Sequence, residues 1–137
     1  MAELNNDVVI ARSPEAVWAI LGDLAGVDRW VPGVTKARME GMRRVCSLED
    51  GGEIHEEIRD FSDERRRYSY EQPVHPLGFT RSEGSLAVKP HGDGRSLVVW
   101  NAEVEFGDPA QEAQVLDMLR QGYAAALNRL KEVAESS

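Results

Sequence analysis

Residues 95–134, RSLVVWNAEVEFGDPAQEAQVLDMLRQGYAAALNRLKEVA, change periodicity midway, and that change decides the fold. Val98, Trp100, Ala102, Val104 and Phe106 alternate with Val99, Asn101, Glu103 and Glu105, as in a half-buried strand about eleven residues long. Asp108 then stands as a cap, Pro109 takes the first helical position, and Gln111 is placed to reach back in a capping box. Beyond it Leu116, Leu119, Tyr123, Leu127, Leu130 and Ala134 recur at helical spacing. They predict a helix of ~26 residues to about Ala134, with an apolar stripe ~39 Å long at 1.5 Å per residue. A long half-buried strand needs a cover of comparable length, and this helix supplies it.

Upstream, from Val34, short segments of period two are separated by turn residues: Glu40-Gly41, Asp50-Gly51-Gly52, Ser62-Asp63-Glu64, Gln72-Pro73 and His91-Gly92-Asp93-Gly94. Six antiparallel strands fit this spacing. Asp50-Gly51-Gly52, between RRVCSLE and EIHEEIRDF, is the strongest hairpin signal because glycine tolerates the positive φ of tight turns. With a two-residue turn, Val45 and Ser47 share a face with Ile54, Glu56 and Ile58, and Cys46 and His55 face outward. The same alternation puts Tyr68, Tyr70, Leu86 and Val88 on the inner face. At the start, Val8–Ala11 reads as a short strand, Ser13-Pro14-Glu15 as a capped helix start, and Leu24–Trp30 as a second short helix ended by Pro32-Gly33. The order β, α, α, six strands, long α describes an α+β domain whose seven-stranded antiparallel sheet curves around the C-terminal helix.

Composition bounds the function. The 137 residues carry 16 Lys and Arg against 24 Asp and Glu, a net charge of −8. That balance opposes binding to nucleic-acid phosphates and to anionic lipid surfaces. A chain of this size folds with ~7,000 Å² exposed against ~22,000 Å² unfolded, enough for one core, so residues 1–137 are expected to form a single domain. Cys46 is the only thiol, which excludes an internal disulfide and paired-cysteine zinc motifs and suggests a reducing, cytoplasmic setting. No apolar run approaches a membrane span, and no P-loop, G-x-G-x-x-G, G-x-S-x-G or H-E-x-x-H motif occurs.

The order and spacing of four stretches add a likeness: SPEAVWAILGDLAGVDRWVPGV (13–34), EDGGEIHEEIRDFSDERRRYSY (49–70), VVWNAEVEF (98–106) and GYAAALNRLKE (122–132). Together, over nearly the whole chain, they resemble the START-like superfamily, also called SRPBCC. Its polyketide cyclase/dehydrase and lipid-transport branch is most similar, and plant abscisic-acid receptors more distantly so. The resemblance implies a helix-grip fold and a cavity between sheet and helix for a small hydrophobic or amphipathic molecule. Because such relatives include carriers, receptors and aromatase/cyclases, it does not imply one reaction.

Glu56 is the most informative position, since an ionisable side chain on an apolar face needs partners. It is expected to be an internal polar anchor, satisfied by water and by polar groups of a ligand. The alternatives are a bulge that turns it to solvent, or a pairing Arg. His75, in QPVHPLGF, sits where the hormone-receptor relatives carry a lid loop with a His; Pro73 and Pro76 restrict its backbone. Trp30, Val45, Ser47, Ile54, Ile58, Tyr68, Tyr70, Phe79, Trp100, Leu119 and Tyr123 complete the expected lining, with Gly122 and Ala126 leaving room on the helix. His55 and His91 read as solvated, and Arg65-Arg66-Arg67 as a solvated face. The histidines fall on different faces, so no metal site and no cofactor is expected.

The sequence thus points to a non-catalytic binder of a small hydrophobic molecule, monomeric or homodimeric. The alternatives are a cyclase or dehydratase in which Glu56 or His75 moves a proton, and a protein-interaction module with a collapsed cavity.

Overall fold

The computed structural model describes residues 2–137. Seven strands run in the order β1 (Ala2–Ile10), β2 (Val34–Glu40), β3 (Arg43–Leu48), β4 (Glu53–Ser62), β5 (Arg67–Val74), β6 (Phe79–Pro90) and β7 (Ser96–Phe106). They form one antiparallel sheet with spatial order β1-β7-β6-β5-β4-β3-β2. Helix α1 (Pro14–Leu21) and a 3-10 turn (Leu24–Arg29) lie between β1 and β2. Helix α2 (Glu112–Glu135) follows β7 through the short 3-10 segment Pro109–Gln111.

Local chemistry explains most boundaries. Ser13 Oγ accepts from the Ala16 N–H at 3.2 Å and Pro14 takes the first helical position, so α1 begins there and buries Val17, Trp18, Ile20 and Leu21. Before α2, Asp108 Oδ1 accepts from the Ala110 N–H at 3.0 Å, but the capping box expected of Gln111 does not form. The 3-10 segment makes Gln111 itself the residue that precedes α2. Strand β1 extends well beyond the expected Val8–Ala11, because β7 offers it a ladder from Ala2↔Val104 to Ile10↔Ser96. Edge pairing of that length overrides the polar run Glu3-Leu4-Asn5-Asn6-Asp7.

The core lies between the inner sheet face and the helices. Tyr68, Leu86, Val98 and Val88 meet Leu127, Leu130 and Ala134 of α2 and Val17 and Leu21 of α1. Leu4, Ala102, Val104 and Leu119 form a second cluster toward the start of α2. The C-terminal end of α2 is tied down by Arg12, whose Nη1 donates to Ala134 O at 2.7 Å and to Ser137 O at 2.6 Å. A cation there also complements the helix dipole. The accessible area, 7322 Å², matches the size expected from mass alone.

The DGG hairpin departs from the expected register. Leu48 N donates to Gly52 O at 2.9 Å, and Gly51 takes a φ of 90°, so three residues rather than two form the loop. The odd count inverts the pairing between β3 and β4: Arg44 stands beside Glu56, Cys46 beside Ile54, and Val45 beside His55. Val45 and Ser47 are therefore on the outer face, and Arg44 and Cys46 on the inner one.

On the outer face Glu3, Glu103, Glu83, Glu71 and Glu57 stand next to one another across β1, β7, β6, β5 and β4. Arg59 pairs with Glu71 at 3.0 Å, Arg81 with Glu83 at 2.9 Å and Arg43 with Glu57 at 2.5 Å, whereas Glu103 makes no ion pair among the described residues. Like charges directly opposite are destabilising by roughly 0.2–1 kcal/mol per pair. We expect Glu103→Gln to raise the urea midpoint at low ionic strength, with the gain shrinking as salt is added. An unchanged midpoint at low salt would show that the row carries no repulsion.

Candidate functional site

A cavity of about 180 Å³ lies between the inner sheet face and α2. Its sheet wall comes from Arg44 and Cys46 on β3, Ile54 and Glu56 on β4, Tyr68, Tyr70 and Gln72 on β5, Leu86 on β6 and Trp100 on β7. Leu119, Gly122, Tyr123 and Ala126 of α2 face them, and Val27, Trp30 and Val31 close one side. Exposed Met118 and Gly122, with His75 after β5, mark the mouth. A Cβ on Gly122 would meet nothing within 4 Å, so the missing side chain is open space.

The aromatic wall is ordered by specific contacts. Trp100 stacks on Tyr123 with centroids 4.0 Å apart and meets Trp30 edge-on at 6.0 Å. Trp100 Nε1 donates to Tyr70 Oη at 2.8 Å. Tyr70 fits because its partner across the ladder is Gly84, where a Cβ would collide with the Tyr70 hydroxyl and with the Asn101 carbonyl oxygen. Burial pushes the Tyr70 phenol well above its ordinary value and Tyr123 up to about 12, so both stay neutral.

Glu56 and Arg44 are both buried and form an ion pair, with Arg44 Nε donating to Glu56 Oε1 at 2.7 Å. Arg44 Nη1 also donates to Leu24 O at 3.2 Å, reaching the 3-10 turn. Gln72 Nε2 donates to Glu56 Oε2 at 2.9 Å, and Ser82 Oγ donates to Gln72 Oε1 at 2.6 Å. The Cys46 thiol lies 3.7 Å from Glu56 Oε1, and burial followed by the nearby carboxylate pushes its pKa up to about 12. Cys46 is a weak donor here, not a thiolate. The Arg44 guanidinium also lies 5.5 Å from the centre of the Tyr68 ring.

His75 lines the mouth and packs on Phe79 at 4.6 Å. Its Nδ1 accepts from the Leu77 N–H at 3.1 Å, which assigns the ring proton to Nε2. Burial lowers its pKa to about 4, against the opposing pull of Glu56, so the imidazole is neutral near pH 7.

Of the expected lining residues, Trp30, Ile54, Glu56, Tyr68, Tyr70, His75, Trp100, Leu119 and Tyr123 surround the cavity. Val45 and Ser47 do not, because of the inverted register. Ile58 is inward but packed in the core, and Phe79 packs on Phe106 beside the second cluster. Cys46 is buried at the site rather than outward. Arg44, Gln72 and Ser82 were not anticipated; the cue is the odd loop length, which alone brings Arg44 and Glu56 together. His55 remains on the outer face, 3.1 Å from Glu53 and 3.4 Å from Arg43. Arg66 turns to Glu15 at 2.6 Å, away from the cavity. Among the described residues no three of His, Cys, Asp and Glu converge as a metal would require, and no helix is long and apolar enough to cross a membrane.

Comparison with known proteins places this geometry. XoxI from Bacillus cereus has a similar structure, with a TM-score of 0.88 and 26% identity over 97% of this chain and 95% of that one. The Zhui aromatase/cyclase of a Streptomyces species gives 0.81 at 18% identity, covering 98% and 93%. Norcoclaurine synthase from Thalictrum flavum gives 0.77 at 16% identity, covering 99% and 87%. At such identity the last two show the shared fold alone. No curated protein matches the chain. The family described as polyketide cyclase / dehydrase and lipid transport matches residues 1–135, and the chain belongs to it.

Proposed function

We propose that this protein is a binding protein for a compact apolar molecule held between the sheet and α2, within a single domain. The observation that carries the reading is a cavity with an aromatic wall whose one carboxylate is occupied by protein donors. An interior built only for stability would close over Gly122 and Ala126, since interiors pack to crystal-like density. The volume, about 180 Å³, lies just above the ~150 Å³ of a cavity that takes benzene, so the ligand is of single-ring size.

The same groups favour binding over proton transfer. A general acid or base works best with a pKa near the operating pH. His75 is held near 4 and Cys46 near 12, while Glu56 accepts from Arg44 and Gln72. Both ring nitrogens of His55 bond to Arg43 and Glu53, and His75 Nδ1 accepts from the Leu77 backbone with the ring proton on Nε2, so neither is placed to take a proton from a hydroxyl or thiol.

Single-ring apolar compounds such as toluene and ethylbenzene should raise the melting midpoint. At 100 times the dissociation constant the gain is ~2.7 kcal/mol, on the order of 10 °C. Gly122→Leu should fill the mouth and remove that response, while removing a helical glycine raises the ligand-free midpoint. A compound panel without any shift in the wild type, or a full response in Gly122→Leu, would refute the cavity as the binding site.

His75 gives a pH signature. Its folded pKa of about 4 lies below the unfolded value near 6.5, so the folded state binds fewer protons between them. The associated stability is present above pH ~6.5 and is lost as pH falls toward 4. Urea unfolding of wild type and His75→Gln at pH 7 and pH 5 should show a larger loss in the wild type. Equal losses, or a His75 resonance titrating near 6.5, would show the ring to be solvated.

A further inference from the structure

Apolar surface does not end at the mouth of the cavity. The enclosed space is about 180 Å³, and its carboxylate already receives Arg44 and Gln72, so an apolar ring fills it. Two of its lining residues, Leu119 and Tyr123, also pack in the second core cluster, together with half-buried Phe79, Phe106 and Val115. The two apolar regions are therefore continuous. Val115, Met118 and Gly122 follow one another at helical spacing and share a face of α2. Met118 is 51% exposed, and a Cβ on Gly122 would meet nothing within 4 Å. Across the mouth His75 packs on Phe79 at 4.6 Å, and Phe79 meets Phe106 edge-on at 5.3 Å.

Charge sets this strip apart from the rest of the surface. Residues 72–80, QPVHPLGFT, hold no charge near pH 7, because His75 is neutral, in a chain whose residues are 29% charged. Leu77, within that run, is exposed. Exposed apolar surface that continues a pocket serves to bind something, and methionine adapts its shape to a flexible partner. We propose that the ligand is an aromatic ring carrying a flexible alkyl chain. The ring is enclosed beside Trp100 and Tyr123; the chain leaves past Met118 and Gly122 and lies along the strip formed by Val115, Phe79 and His75. This rests on the cavity being the binding site and adds a second part of the ligand outside it. Each methylene laid on the strip covers apolar surface on both sides of the contact, whereas a charged tail would be desolvated there.

Toluene, n-butylbenzene and tert-butylbenzene test it, titrated at pH 7 against the fluorescence of Trp30 and Trp100, which line the cavity. A methylene taken fully from water is worth about fourfold in affinity, and one covered on a single side about twofold. The three methylenes that separate n-butylbenzene from toluene should therefore tighten binding about eightfold. tert-Butylbenzene has the same formula but no chain to lead out through the mouth, and should bind more weakly than n-butylbenzene. Met118→Gln, at an exposed position, should bring the ratio of n-butylbenzene to toluene affinity toward one. Equal affinities for toluene and n-butylbenzene, an advantage for tert-butylbenzene, or an unchanged ratio in Met118→Gln would overturn this inference while leaving the cavity reading in place. So would another occupant of the strip: ligand-free protein that sediments as a dimer, or that binds phosphatidylcholine vesicles, with either property lost in Met118→Gln. If no probe binds, the inference and the cavity reading fall together.

Discussion

The ion pair between Arg44 and Glu56 sits where a charge is most expensive, with side chains 3% and 8% exposed. Moving two charges out of water costs several kcal/mol each unless the pair is close and its remaining donors and acceptors find partners. Here the partners come from separate elements. Leu24 O on the 3-10 turn receives Arg44, Gln72 on β5 donates to Glu56, and Ser82 on β6 donates to Gln72. One chain of side-chain hydrogen bonds therefore crosses β3, β4, β5 and β6 on the inner face. Slipping β4 against β3 by one residue would turn Glu56 away from Arg44, so the pair and the three-residue Glu49-Asp50-Gly51 loop specify the same register.

That arrangement shapes the cavity. With Glu56 satisfied by the protein, the space beside it can remain apolar on the Trp100 and Tyr123 side without leaving a bare carboxylate. Gly84 lets Tyr70 lie close to the sheet and receive Trp100, and Gly122 keeps α2 from closing the space. The family match to polyketide cyclase / dehydrase and lipid transport proteins accords with a fold built around an internal space. What occupies it depends on the few polar atoms at its wall.

The fold was legible because its signals are periodic and long. The alternation from Val98 to Phe106 and the stripe from Leu116 to Ala134 each repeat enough times that no single residue decides them. The inward positions of Tyr68, Tyr70 and Trp100 followed from the same alternation. The site was less legible because it turns on one parity. A two-residue and a three-residue loop are both compatible with Asp50-Gly51-Gly52, and the choice decides whether Val45 or Arg44 joins Glu56. An arginine alternating with Val45 reads as a surface residue, so its burial was hidden until the loop was known. Gln72 and Ser82 were hidden for a different reason: each is an ordinary polar residue on a strand, and only the neighbouring strand supplies its partner.

A double-mutant cycle on Arg44 and Glu56, measured by urea unfolding at pH 7, tests the central claim most directly. Arg44→Met alone should cost about 3–5 kcal/mol, because it leaves Glu56 buried without its cation, and Glu56→Leu alone should be costly for the converse reason. Arg44→Met with Glu56→Leu together should recover most of that loss, giving a coupling of at least ~2 kcal/mol. Additive effects, with the double variant as unstable as the sum of the singles, would contradict a paired buried charge as the constraint around which this site is built.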